Sequence, residues 1–204
     1  MSGGIAGIVL AAGGSRRLGR PKQLLPLAGR PLVQHVVDAA EASSLAEIVV
    51  VLGHRAPDVR AAIRLAARAT IAVNADWAAG QSTSLACGLA ALAGGDAAAA
   101  LVLLGDQPGV TSAFIDRLIA VWRERPEPPA LRPCWRAGDG TIVPGHPVVL
   151  GRGLWAAAAR LDGDQGARGL FAAHPEWLRE VELAGPPPLD VDDEDDYRRA
   201  VAGG

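Results

Sequence analysis

The sequence predicts an α/β protein: three layers, with a mostly parallel, Rossmann-like sheet flanked by helices. Three observations carry that expectation. Short apolar runs alternate with helix-period segments through the first third of the chain. A glycine-rich turn follows the first apolar run directly. The most apolar run, Ala98 to Leu104, opens straight into Gly105-Asp106-Gln107-Pro108. In open parallel sheets, ligands bind outside the carboxyl ends of the strands. Both turns therefore belong on one functional edge.

Taken in order, Ile5 to Leu10 is the first strand. Leu32 to Ala42 is a helix, with Leu32, Val33, Val36, Val37 and Ala40 on one face. Glu47 to Leu52 is a β-branched strand buried on both faces, and Gly53-His54-Arg55 ends it. Pro57-Asp58 opens a helix reaching about Arg68, and Thr70 to Val73 is the third strand. Asn74 to Gln81 is a loop. Ser82, Thr83 and Ser84 then start a helix over Leu85 to Ala93, where their hydroxyls are good caps. Thr111 caps a helix over Ser112 to Arg125, and Arg125-Pro126-Glu127-Pro128-Pro129 breaks it. Leu131 to Trp135 and Thr141 to Val143 are expected to pair across Ala137-Gly138-Asp139-Gly140. Val148 to Leu150, a helix through Phe171, and Trp177 to Leu183 follow. The short alternating stretch Leu189 to Asp192 then precedes an acidic helix start at Asp193 to Asp196.

Size and composition bound the function. With 204 residues, half of them hydrophobic, the chain suffices for one domain with a full core. The proline-rich breaker after Arg125 divides this single domain into a half over about 1–125 and a half over about 126–204. A net charge of −2 argues against a broad nucleic-acid surface, so anion binding must be local. Cys87 and Cys134 lack the pairing of a zinc or redox motif and are expected to be free thiols. Met1 to Gly4 shows no signal-peptide pattern, and no apolar run approaches the roughly 18 residues of a membrane span, so a cytoplasmic protein without a membrane partner is expected.

The turn Leu10-Ala11-Ala12-Gly13-Gly14-Ser15-Arg16-Arg17-Leu18-Gly19-Arg20-Pro21-Lys22 combines backbone freedom with positive charge, the combination a polyphosphate needs. It is neither a Walker A loop nor a G-x-G-x-x-G fingerprint. Asp106 ends a buried strand, where a carboxylate is expensive unless paired or metal-bound. Beside a triphosphate it is a natural Mg²⁺ ligand. Asp190 and Asp192 alternate with apolar residues, so helix capping accounts for them less well than for Asp193 and Glu194.

The string L-A-A-G-x-S-x-R-x-G-x-x-K resembles the signature of the MobA-like nucleotidyltransferases related to molybdenum-cofactor cytidylyl- and guanylyltransferases. It is matched at Leu10, Ala11, Ala12, Gly13, Ser15, Arg17, Gly19 and Lys22. The segments Asn74…Trp77…Gly80…Ser84-Leu85, Gly105-Asp106-Gln107-Pro108, Gly145-His146-Pro147, Asp164…Gly166-Ala167-Arg168 and Asp190-Val191-Asp192 also resemble that family, in its order. Asp193-Glu194 departs from the family's Thr-Pro.

The resemblance implies a nucleotide-diphospho-sugar transferase-like fold, with the first half nucleotide-binding and the second half acceptor-binding. It implies nucleotide contacts from Leu10, Ala11, Ala12, Gly13, Gly14, Ser15, Arg17, Lys22, Asn74, Ser82, Ser84 and Gly105. It implies catalysis by Arg17, Lys22, Asp106 and Asp192, with Mg²⁺ on Asp106 and Asp192 and Asp190 as a further candidate ligand. Gly145, His146, Pro147, Asp164 and Arg168 are implied to hold the acceptor, though these glycines also suit a plain turn. Ala12 favours CTP over GTP, because cytidylyl members tend to read L-A-A-G. The implied acceptor is the phosphate of molybdopterin, and a molybdoenzyme is the destination of the product. Two alternatives stand beside this reading: transfer to another phosphorylated acceptor (a sugar phosphate or a phospholactate), and a non-catalytic nucleotide or pterin carrier.

Overall fold

The computed structural model describes residues 3–15 and 17–203; Arg16, one of the basic residues of the glycine-rich turn, lies outside them. The first half builds β1 (Ile5–Ala11), a small hairpin of β2 (Pro26–Leu27) and β3 (Arg30–Pro31), α1 (Leu32–Ala42), β4 (Ile48–Leu52), α2 (Ala56–Ala62) and β5 (Ala69–Val73). It continues through α3 (Gln81–Leu92), β6 (Ala99–Leu104) and α4 (Ser112–Glu124). The second half adds β7 (Ala130–Arg136), β8 (Ile142–Pro144), β9 (Val148–Gly151), α5 (Trp155–Ala158), α6 (Ala167–Ala173), β10 (Leu178–Glu182) and α7 (Glu194–Ala202).

The main sheet runs β10-β7-β9-β6-β1-β4-β5, with β8 paired to β7. β1, β4, β5 and β6 are parallel neighbours. β9 enters antiparallel to both β6 and β7, and β10 pairs parallel with β7. The expected hairpin of β7 and β8 is present, with Cys134 opposite Pro144 and Arg136 opposite Ile142.

Period-two alternation divides the strands between two cores. Ile5 and Val9 of β1, Ile48 and Val50 of β4, and Leu101 and Leu103 of β6 meet α1, α2 and α4 on one face. Ala6 and Ile8, Val49 and Val51, and Ala100 and Val102 meet α3, α5 and α6 on the other. Each fully buried Val, Leu or Ile is worth about 1.5–3 kcal/mol, so the central strands hold both layers together. This is the three-layer, mostly parallel architecture expected.

Two segments differ from expectation. α2 stops at Ala62 and does not reach Arg68. Side chains of α1 capture the backbone that would have continued it. The Gln34 amide accepts from Arg64 N at 2.8 Å and donates to Arg64 O at 3.0 Å, and the Glu41 carboxylate accepts from Ala66 N. These tertiary bonds replace helical ones. The alternating stretch Leu189 to Asp192 joins no strand ladder. Its backbone is tied to the sheet edge by a bond from Val191 N to Asp106 O at 3.0 Å, with Val191 buried against Leu25 and Leu32.

Candidate active site

The loops after β1, β4, β5 and β6 open on one edge of the sheet, and there the glycine-rich turn is held from behind. Gln23, 3% exposed, donates to the carbonyls of Ala11 and Gly13 at 3.2 and 2.9 Å. His54 N donates to Ala12 O at 3.0 Å. With these three carbonyls engaged, the turn offers less negative charge to an incoming anion. Ser15 takes a left-handed conformation (φ 50°), and its hydroxyl accepts from Lys22 N at 2.9 Å. Lys22 is thereby returned to the head of the turn. Trp77 lies against Gly14, where a Cβ would come within 3.0 Å of the indole, and packs edge-on to His54.

A cleft of about 580 Å³ runs along this edge. Leu10, Ala11, Ala12, Gly13, Gly14 and Ser15 form one wall, with Arg17 and Lys22 beside them. Ser84, Gly105, Asp106, Asp190 and Asp192 also line it, and Gly145, His146, Asp164 and Arg168 stand on the second-half side. Residues 170 positions apart in sequence thus meet.

Three residues of the sequence reading lie behind the lining. Asn74 is buried and uses its amide to bond Thr83 Oγ1 at 2.8 Å and Ser84 Oγ at 3.0 Å. Ser82 is buried and donates to Asp162 O at 3.2 Å. Pro147 is buried at the entry to β9. The polar groups of Asn74 and Ser82 tie together loops that face the cleft. The hydroxyls of residues 82–84 are not N-caps: α3 begins at Gln81, and Gly80 occupies the cap position.

The floor of the cleft is a charge cluster. Lys22 Nζ is salt-bridged to Asp106 and lies 2.9 Å from Asp192 Oδ1; Arg17 reaches Asp192 Oδ2 at 2.8 Å. Burial alone would lower the Lys22 ammonium, but the two carboxylates outweigh it and hold it above its ordinary value. Asp192 is raised by burial, more than offset by Lys22 and then Arg17, so it sits below the usual carboxylate range. Asp190 is pushed up to about 6 by burial first and by Asp106 next. The Asp106 Oδ1 atom is buried with no hydrogen-bond partner.

The C-terminal segment reaches this floor through a reciprocal cap. Asp193 accepts from Asp195 N and Asp196 N, and Asp196 accepts from Asp192 N at 3.1 Å and Asp193 N at 3.3 Å. Arg20 pairs with Glu194 at 2.9 Å, and the Tyr197 hydroxyl donates to Pro26 O. The acidic run is both a helix start and the device that presents Asp192.

Among the described residues, no group of three or more His, Cys, Asp or Glu has metal-binding geometry. Asp106 and Asp192 nonetheless share one cation, and the orphaned Asp106 Oδ1 has a lone pair to give. Mg²⁺ commonly takes one or two carboxylates and completes its shell with phosphate and water. The donor set fits a metal that arrives with a polyphosphate.

The sequence reading gave no role to Gln23, Trp77, Gln81 or Gln107, all of which line the cleft. Trp77 and Gln107 stood inside quoted motifs, and Gln23 directly follows the glycine-rich turn. Gln81 N donates to Asp164 Oδ1 at 3.2 Å, and nothing local signals that contact. His146 is largely buried, and desolvation, then Arg168 and Arg132, lower it to about 4, so its imidazole is neutral.

Among curated proteins, nicotine blue oxidoreductase of Paenarthrobacter nicotinovorans is 37% identical over 183 residues, covering 85% of this chain and 84% of that protein. Among solved structures, Rv0371c of Mycobacterium tuberculosis H37Rv superposes with a TM-score of 0.81 at 33% identity, covering 99% of each chain. The same protein in complex with manganese gives 0.77. A CMP:2-keto-3-deoxy-manno-octonic acid synthetase complexed with CTP shares the fold, with a TM-score of 0.77 at 18% identity over 98% of this chain and 97% of that one. The MobA-like NTP transferase domain matches residues 7–178, which takes in the glycine-rich turn, both walls of the cleft and Asp106. The chain belongs to the MobA-like NTP transferase family, and so to the nucleotidyltransferases.

Proposed function

We propose that this protein transfers a nucleoside monophosphate, CMP in preference to GMP, from a nucleoside triphosphate to the phosphate of molybdopterin. The observation that carries the reading is Lys22, held between Asp106 and Asp192 on the floor of a cleft walled by a phosphate-cradling turn. An acceptor phosphate oxygen attacks the α-phosphorus; one P–O bond forms, and the bond to the leaving pyrophosphate breaks. The attacking phosphate is already anionic near neutral pH, so no general base is needed. Alignment and charge neutralisation supply the catalysis.

Lys22 and Arg17 exchange carboxylate partners for triphosphate oxygens, and the Gly13-Gly14 backbone cradles the phosphates. Asp106 and Asp192, with Asp190 beside them, would hold Mg²⁺, which when bound supplies charge neutralisation at the α-phosphate. Ala12, buried on the cleft wall, favours a pyrimidine because its methyl narrows the space beneath the base. Residues before about 126 serve the nucleotide, and those after it, with His146, Asp164 and Arg168, serve the acceptor.

The test is pyrophosphate release from the purified protein with Mg²⁺, each nucleoside triphosphate in turn, and molybdopterin. Release with CTP alone, lost in Asp106→Ala, supports the reading. Release with GTP overturns the base assignment and leaves the mechanism. Absence of release with every nucleotide overturns transfer to molybdopterin.

The relative named nicotine blue oxidoreductase favours a second reading, an oxidation–reduction of nicotine blue in the same cleft. Protein-dependent redox conversion of nicotine blue, with no pyrophosphate formed from any triphosphate, would select it.

A further inference from the structure

A second chamber of about 230 Å³ opens off the main cleft, and the two share Gln81, Pro144, Gly145, His146 and Arg168. It is smaller than the roughly 300 Å³ at which whole-ligand pockets begin, so it suits one end of a ligand. Val148, Ala167 and Phe171 give it an apolar wall, and Arg132 and Arg168 give it two guanidinium groups. Among the described residues, no carboxylate lines it.

Arg132 is the charged residue that lines this chamber and not the main cleft. It lies on β7 directly opposite Glu180 of β10 and is ion-paired with it. That pair uses one edge of the guanidinium only. The Nε atom is buried with no hydrogen-bond acceptor, and an unsatisfied buried donor beside a charge costs more than an ordinary one. The guanidinium carbon stands 5.9 Å from the centre of the Phe171 ring, within reach of a cation–π contact. Arg168 makes no hydrogen bond or ion pair among the described residues. Burial first, and then Arg168 and Arg132, lower the neighbouring imidazole of His146, so it adds no counter-charge to the two arginines and no positive charge of its own.

We propose that this chamber binds the distal end of the acceptor, an apolar ring-sized body bearing an anionic group, with Arg132 as the ligand of that anion. The assignment of this end to an acceptor rests on the transferase reading. Arg168, shared by both cavities, would direct the reacting phosphate towards Lys22 while the ring end lies on Phe171.

The test uses 6-carboxypterin, a fluorescent ring anion, against uncharged pterin as control, in binding titrations of the full chain. The wild type should bind 6-carboxypterin at least tenfold more tightly than pterin. Arg132→Gln should lose that preference, Arg132→Lys should recover part of it, and affinity for Mg-CTP should be unchanged in both. Glu180→Gln, which frees Arg132 from its partner, should tighten 6-carboxypterin binding and guards against misreading an unfolded arginine variant. Equal binding of the two pterins by the wild type, or no change with folded Arg132→Gln or with Glu180→Gln, overturns the proposal. Arg132-dependent binding in a protein that releases no pyrophosphate would instead sink the transferase reading alone.

Discussion

Replacing Lys22 by methionine separates the two tasks of this residue, because the apolar stem is kept and only the ammonium is lost. Lys22 Nζ is shared by Asp106 and Asp192, whose side chains are 18% and 36% exposed. Without it, two carboxylates remain about 5 Å apart, and at an effective dielectric of roughly 20 they repel by about 3 kcal/mol. The exposure of Asp192 and the residual Arg17 pair reduce this to about 1–2 kcal/mol at neutral pH. For a chain of this size, each kcal/mol shifts the melting midpoint by about 2–4 °C.

The penalty depends on pH with a definite sign. Asp192 lies below its ordinary value in the wild type, so its stabilising contribution is complete above the unfolded value of about 3.9 and is lost as pH falls through the lower folded value. In the variant, the facing carboxylates accept protons more readily, which relieves their repulsion in acid. The melting difference between the two proteins should therefore shrink from pH 7 to pH 3.5. In turnover, loss of a cation aimed at the leaving pyrophosphate should lower kcat/KM about 10²–10³-fold. Pyrophosphate release with CTP and thermal melts across that pH range provide the two readouts. A variant within threefold of wild-type kcat/KM, or a melting difference independent of pH, would refute the reasoning.

Further outcomes follow from other contacts. His146 sits near 4 against an ordinary value of 6.5, so folded protein resists its protonation and stability falls as pH drops from 6.5 towards 4, by on the order of 2–3 kcal/mol. His146→Gln should flatten that part of the urea-unfolding profile; an unchanged slope would sink the assignment. Gly80 has φ 125°, and a Cβ there would meet the Gly163 carbonyl at 2.4 Å. Gly80→Ala should cost about 1–3 kcal/mol and raise the acceptor KM more than the CTP KM. Equal effects on both KM values would contradict the placement of the 163–168 loop at the acceptor. Asp193→Ala removes the reciprocal cap of α7 and should cost about 1 kcal/mol in denaturant melts, with hydrogen exchange rising at residues 194–197. Unchanged exchange there would show that the cap is not what holds the segment.

The order of elements, the two-sided burial of the central strands and the location of the turn and Asp106 on one edge were all legible along the chain. Each follows from a local pattern: period two, period 3.6, or a glycine beside a charge. The cap at Thr111 and the helix Leu32–Ala42 were legible for the same reason. What tertiary structure alone decided was where polar groups spend their hydrogen bonds. Asn74 and Ser82 read as ligand contacts but are consumed by Thr83, Ser84 and Asp162. The end of α2 was set by Gln34 and Glu41, more than twenty residues away. Arg132 carried no motif at all; its surroundings are visible only because β10 places Glu180 on one edge of its guanidinium and α6 places Phe171 near it. Local patterns determine which face of an element is buried, because burial is set by side-chain periodicity. Partner choice among polar groups depends on distances between elements far apart in sequence, and only the packed fold supplies those.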